Sequence, residues 1–507
     1  MTSMKRVKIF IPFLIIIMLL FSGCNSAAST TTGVTAADTG TETTKALTAV
    51  ISPTSAIVVD PEFTERDLET IYEDSTATHV TLDGSNIQVT GDGAVASNGV
   101  LTITAEGTYV ITGNLTDGQI VVAAADTDKI QIVLNGAAIN CADNAPIYVK
   151  SANKVFVTLN AGTVNTLTDG TVYVQTDENT VDAVIFSKAD LTLNGEGTLN
   201  ITSIANHGIV SKDDLVITGG TYTIISANDA LSGKNSVKIK DGIFNITCSS
   251  EGKGITSKND EDTTKGYVYI AGGTITITKS YEGIEGTVII VEGGTFDITA
   301  QDDGFNTASA SASNDDVGEG NDPGGAGGGG GAMENDANCY LSIAGGTINL
   351  NASGDGLDSN GNLYISGGDI TVSGPTNSGN GALDYNGIAD ITGGTVVISG
   401  STGMAQGFSE SSTQASLLYN LTSACEAGTE IKLTDDTGKT IASYTPDKTY
   451  QSVVISTPEM VQGSTYTLTC GSQTVDIPLT AVVTSNGQSG MGGPGQGGGQ
   501  GGGTRPQ

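Results

Sequence analysis

The chain of 507 residues has no tryptophan and only three arginines, Arg6, Arg66 and Arg505. The whole stretch between residues 67 and 504 therefore lacks the planar fork that clamps carboxylates and phosphates bidentately. Cation of either kind is scarce, with 21 Lys and Arg against 55 Asp and Glu. Removing Lys5, Arg6 and Lys8 with an N-terminal leader takes the formal charge from −34 to −37, which excludes nucleic acid as a partner. Apart from Ile9 to Phe21, no apolar run approaches the 18 residues of a membrane span. No segment keeps an apolar period of 3.6, so a helical fold is excluded. The six cysteines form no CxxC pair and no metal-ligand spacing. Past Cys24 they read as small buried apolar residues, although a Cys425–Cys470 bridge remains open in an oxidising compartment.

What the chain does have begins with a leader. Lys5, Arg6 and Lys8 precede the apolar run, which ends in Leu20-Phe21-Ser22-Gly23-Cys24. That is a secretory signal, residues 1–23, with small residues placed so that Cys24 becomes a lipidated first residue. The expected location is the extracellular face of a bacterial cell membrane, held by the lipid alone. Residues 24–60 are mostly Ser, Thr, Ala and Gly, a composition of a disordered tether.

The body is repetitive. Leu215-Val216-Ile217-Thr218-Gly219-Gly220-Thr221-Tyr222-Thr223-Ile224 recurs from Val268 and again from Ile289, and further copies end at Gly345-Gly346-Thr347, Gly367-Gly368-Asp369 and Gly393-Gly394-Thr395. The spacing is 21 to 23 residues wherever no insertion intervenes. Short alternating strands separated by glycine corners cannot cover their own apolar face, whereas stacked units share one core. The expectation is an all-β, right-handed parallel β-helix over residues 61–400, its hand following the general preference for right-handed parallel crossovers. A disordered Gly-rich insertion is expected at 308–337, a β-rich C-terminal cap at 401–484, and a flexible Gly/Gln tail at 485–507.

Gly107-Thr108-Tyr109-Val110-Ile111-Thr112-Gly113, Leu134 to Ala137, Ala145 to Val149, the Gly-Gly-Thr units, Met404 to Ser416 and Ser456-Thr457-Pro458 carry a resemblance. The chain resembles the pectate-lyase-like β-helix family of bacterial carbohydrate-binding domain-containing surface lipoproteins. That resemblance implies a right-handed β-helix, bound calcium, and affinity for plant-type glycans such as cellulose or polygalacturonate.

The chain's own residues add a candidate site. Aligning units by the corner before each Gly-Gly-Thr strand stacks His207, Asp229, Lys253, Glu282, Asp303 and Asp355 in one column, with Glu285, Asn306, Asp358 and Asp384 in a second. Stacked parallel strands stand about 4.8 Å apart, where two carboxylates repel by roughly 3–4 kcal/mol at an effective dielectric near 20. Either proton uptake by one carboxyl or a bound cation must offset this; calcium, which takes six to eight oxygen ligands, is the natural candidate, and Asp229, Glu282, Asp302, Asp303, Asp355, Asp358 and Asp384 are the candidate ligands. Asp-Gly turns pointing to solvent would be the plainer explanation of any one of them. Tyr281 and Tyr385, beside these columns, are the candidate glycan platforms.

The function expected is calcium-assisted, non-catalytic binding of polysaccharide by a monomer. One rival is a polysaccharide lyase, in which Lys253 would be the base, with Lys258, Lys279 or His207 as substitutes. The other is a protein-binding adhesin or stalk.

Overall fold

The computed structural model describes residues 55–249, 251–310 and 334–486. The leader, Cys24, most of the expected tether, residues 311–333 of the insertion and all but the first two residues of the tail lie outside them. The described residues are all β apart from the single-turn helix Glu65–Leu68 and a 3-10 turn at Asp74–Thr76. Two large sheets rich in parallel pairs hold 25 and 12 strands, and a third holds 4.

Short strands arise because apolar residues alternate for only three to seven positions before a glycine or a polar corner. Thr221–Ser226 and Thr295–Ala300 bury every second side chain. Three such strands make a rung. One rung is Leu231–Gly233, Ser236–Ile239 and Ile243–Cys248, and the next is Ile255–Ser257, Tyr267–Ile270 and Thr274–Ser280. Each strand pairs in parallel with its counterpart one rung on: Leu231 with Ile255, Val237 with Val268, Phe244 with Ile275. Inward side chains from all three ladders form one core that includes Leu231, Val237 and Phe244, none exposed at all. Within it the rings of Tyr222 and Phe244 stack with centroids 5.0 Å apart.

The Gly-Gly corners keep the ladders in register. Gly273, Gly294 and Gly346 take φ of +99°, +109° and +99°, a region costly to any residue with a Cβ. The amides that follow donate across the rungs, Thr295 to Gly273 and Thr347 to Gly294, each at 2.9 Å.

Both ends of the stack switch to antiparallel pairing. Thr78–Gly84 turns back on Asn86–Thr90, and Thr395–Gly400 pairs with Tyr450–Ser456. The four-stranded sheet of Ile431–Thr434, Thr440–Tyr444, Thr465–Cys470 and Gln473–Pro478 has its own core around Leu433, Tyr450 and Leu468. Cys425 and Cys470 are both free and buried there.

One boundary differs from the reading of composition. Residues 55–60, assigned to the tether, pack against the body: Ile57 is buried beside Tyr267, Tyr269 and Tyr340, and Asp60 pairs with Lys238 at 3.4 Å. The strap continues to Asp67, whose carboxylate takes Lys154 at 2.8 Å and the Thr192 hydroxyl at 2.6 Å. A few well-placed apolar and charged side chains suffice here because the sheet's outer face supplies their partners.

Candidate functional site

The backbone ladder fixes the first column. The Gly208 amide donates to the Asp229 carbonyl, Ala230 to Lys253, Gly254 to Glu282, Gly283 to Asp303 and Gly304 to Asp355, so these five residues occupy equivalent corners of successive rungs. The strand that follows each corner sets the second column, with Thr256 opposite Glu285, Glu285 opposite Asn306, Asn306 opposite Asp358 and Asp358 opposite Asp384.

Two sets of donors converge. Carboxylate oxygens of Glu282, Asp302 and Asp303 lie within 4.8 Å of one another, as do those of Asp355, Asp358 and Asp384. The corner carboxylates are also held by backbone, since Asp303 Oδ1 accepts from the Asp355 amide and Asp355 Oδ1 from the Gly381 amide, each at 2.6 Å. Gln406 donates to Asp384 at 2.5 Å. Between the two sets, Asn306 Nδ2 donates to Glu282 Oε1 at 3.0 Å; among the described residues the buried Asn306 Oδ1 has no hydrogen-bond partner, and Glu282 Oε2 has only the Lys253 ammonium, 3.5 Å away. A buried oxygen without a hydrogen bond beside grouped carboxylates is the donor chemistry that suits a hard cation.

The electrostatics agree. Burial pushes the Glu282 carboxyl up to about 8, with Glu285 adding to the rise. Burial, then the charge of Asp384, pushes Asp355 up to about 7. Asp303 is raised well above the carboxylate range by burial and by Asp355 and Asp302. Asp358 is raised in the same way by burial and by Asp303, Asp355 and Asp384. Burial raises Asp384 too. These groups would rather hold a proton than a charge, so whatever keeps them ionised must supply positive charge.

Lys253 supplies it on one side only. Its Nζ lies 2.5 Å from Glu285 and 3.5 Å from Glu282, and Lys258 forms a second ion pair with Glu285. Burial works to raise Glu285, but the two lysines outweigh it and hold that carboxyl at about 2. Burial works to lower Lys253, yet Glu285 and Glu282 raise its pKa overall. A lysine held protonated is a poor general base.

The other candidates disperse. Asp229 joins neither set; it accepts the Lys253 amide at 2.9 Å and faces His207 Nδ1 at 3.3 Å. Lys279 sits opposite Thr247 on the other large sheet. Tyr281 reaches the surface beside Glu282, 36% exposed. The Tyr385 ring is half-buried against the core, and its hydroxyl donates to the Gly407 carbonyl at 2.7 Å. A third set, Asp190, Asp213 and Asp214, was missed. Burial, then Asp213 and Asp214, raises Asp190 to about 6. Its only sequence signal is the Asp213-Asp214 pair falling one unit after Asp190.

A model of the carbohydrate-binding domain-containing protein family matches residues 97–374, more than half of the chain, and the chain belongs to that family. A carbohydrate-binding domain-containing protein of Acetivibrio thermocellus is 40% identical over 196 residues, which cover 38% of this chain and 68% of the relative. The chain is also similar to a solved structure described as a polysaccharide lyase-like protein from C. thermocellum, gadolinium derivative, at 28% identity and a TM-score of 0.42 over 62% of this chain and 97% of the other.

Proposed function

We propose that the protein binds polysaccharide of the plant type, cellulose or polygalacturonate, outside a bacterial cell without cleaving it, and that calcium assists. In this reading the rungs wind as a right-handed parallel β-helix, the hand that parallel crossovers favour. Cys24 carries the lipid that anchors the chain, and the sequence between it and the strap sets the body off from the membrane.

The observation that carries the reading is the pair of carboxylate sets, Glu282–Asp302–Asp303 and Asp355–Asp358–Asp384, in a member of a carbohydrate-binding family. Calcium would take oxygens from both sets, offset a repulsion of roughly 3–4 kcal/mol per close pair, and offer vacant positions to uronate carboxylates or sugar hydroxyls. Against a lyase stands Lys253, which two glutamates keep protonated.

The test is retention of the mature chain on insoluble cellulose and on polygalacturonate, with calcium and with chelator, while absorbance follows unsaturated product. Calcium-dependent retention without product supports the reading. Product would make the protein a lyase, and absence of retention under every condition would leave an adhesin or stalk.

A further inference from the structure

Basic residues are few in this chain, yet five of them stand in one line. The amide of Lys188 donates to the Val149 carbonyl, that of Lys212 to Ser187 and that of Lys234 to Ser211. These bonds put Lys188, Lys212 and Lys234 at the same position of three successive rungs. Lys150 follows Val149, and Lys258 follows the strand Ile255–Ser257 that pairs with Leu231–Gly233, so the register extends the line by one rung at each end. The line follows the 12-stranded sheet that, further along, carries Glu285, Asn306, Asp358 and Asp384.

Stacked ammonium groups repel as stacked carboxylates do, and the fold neutralises them unevenly. Lys150 takes Asp177 at 2.9 Å and Lys258 takes the buried Glu285. In the middle Lys212 has, among the described residues, only Asp182, at 3.8 Å. Lys234 has Asp260 and Glu261, whose side chains are each 78% exposed. Lys188 is exposed and makes no ion pair among the described residues. A groove of about 540 Å³ opens beside these residues, lined by Lys188, Lys212, Lys234 and Lys265, by the carboxylates Glu178, Glu261 and Asp262, and by Phe186 and Asn235. The Lys212 ammonium stands 5.3 Å from the Phe186 ring centroid, which adds a cation–π contact to its placement.

We propose that this groove is a subsite for a linear acidic saccharide, a chain bearing a carboxylate or sulfate on successive sugars, each anion meeting one lysine of the line. The inference rests on the carbohydrate-binding reading above and names its ligand class. Rungs about 4.8 Å apart match the length of a single pyranose in an extended chain, so the row can be followed sugar by sugar. The volume falls in the range of small-ligand sites, about 300–1,000 Å³. Exposed Asp260 and Glu261 yield to an incoming anion at little cost, since surface ion pairs are worth about 0–1 kcal/mol. The chain's distant negative charge is screened beyond about 8 Å at physiological salt, which leaves the four lysines of the groove set against its own three carboxylates. No metal takes part, which separates this subsite from the carboxylate sets.

The test is calorimetric titration of the mature chain, in chelator, with oligogalacturonate, with a sulfated oligosaccharide and with neutral cello-oligosaccharide. One or both acidic ligands should bind, more weakly as salt rises, and the neutral one should not. Lys188→Gln with Lys212→Gln should weaken binding about tenfold or more at an unchanged melting temperature, and Lys188→Arg with Lys212→Arg should keep it. Equal affinity in the glutamine variant, or no acidic ligand bound, overturns the proposal. If the chain is nevertheless retained on polysaccharide with calcium, the lysine subsite alone has failed and the broader reading stands.

Discussion

Lys253 joins two carboxylates on the next rung, its Nζ 2.5 Å from Glu285 and 3.5 Å from Glu282. The contact makes a structural ion pair out of the residue that would otherwise be the first candidate for a catalytic base. Replacing it with methionine leaves Glu282 without a cation and Glu285 with Lys258 alone. Lys253→Met should cost about 3 kcal/mol, read as a lower denaturant midpoint, while Lys253→Arg should recover most of it. An unaltered midpoint in Lys253→Met would mean that the pair contributes nothing.

Asp303 and Asp355 each accept a backbone amide from the rung beyond through Oδ1, a contact that asparagine preserves. Asp303→Asn with Asp355→Asn therefore removes charge and keeps the corner. In chelator the variant should melt higher than the parent, because repulsion is relieved. In excess calcium it should melt lower and bind the ion more weakly. Identical melting of the two proteins in calcium would sink the assignment of these residues as ligands.

The same carboxyls give the calcium-free protein a pH dependence. Asp355 rises from 3.8 to about 7 and Glu282 from 4.5 to about 8 on folding, so the native state binds more protons than the unfolded chain. The stability they contribute is fully present below pH 4 and is lost as pH rises through 7 to 8. Melting temperature in chelator should fall between pH 5 and 8, and saturating calcium should remove that slope by replacing the protons. A flat profile in chelator would contradict the raised values.

Gly294 holds φ +109°, and a Cβ there would stand 2.9 Å from the Gly273 carbonyl oxygen of the neighbouring rung. Gly294→Ala should cost about 1–2 kcal/mol from the left-handed backbone alone, with the clash adding to it. Denaturant unfolding measures this directly, and a loss below a few tenths would show that the corner can relax.

Tyr281 is the aromatic side chain exposed beside the first carboxylate set. Tyr281→Ala should reduce retention on polysaccharide about fivefold, in line with ~1 kcal/mol for an aromatic contact, with melting little changed. Equal retention would remove the tyrosine from the binding surface.

Much of this arrangement can be read from local pattern. Two-residue alternation separated by Gly-Gly sets which side chains face the core and how long each rung is, so the corner column from Asp229 to Asp355 follows from counting residues, and so does the grouping of Asp302 with Asp303 and of Asp355 with Asp358 and Asp384. Backbone periodicity determines position along a strand and the face of a sheet, and a stack repeats both.

Direction at a corner belongs to the tertiary structure alone. Asp229 shares its column with Asp303 but turns to His207 and the Lys253 amide, because the rung beside it offers a lysine rather than a second carboxylate. Tyr385 turns inward because the Gly407 carbonyl is there to receive its hydroxyl. Residues 55–69 lie against the body because Tyr267, Lys238, Lys154 and Thr192, far along the chain, present partners to them. The lysine line stayed hidden for a related reason: Lys150 to Lys258 are spaced 38, 24, 22 and 24 residues apart, and only the hydrogen-bonded register shows that the unequal loops between them bring them to one edge. Sequence determined which residues each rung places at its surface; packing between rungs determined which of them meet.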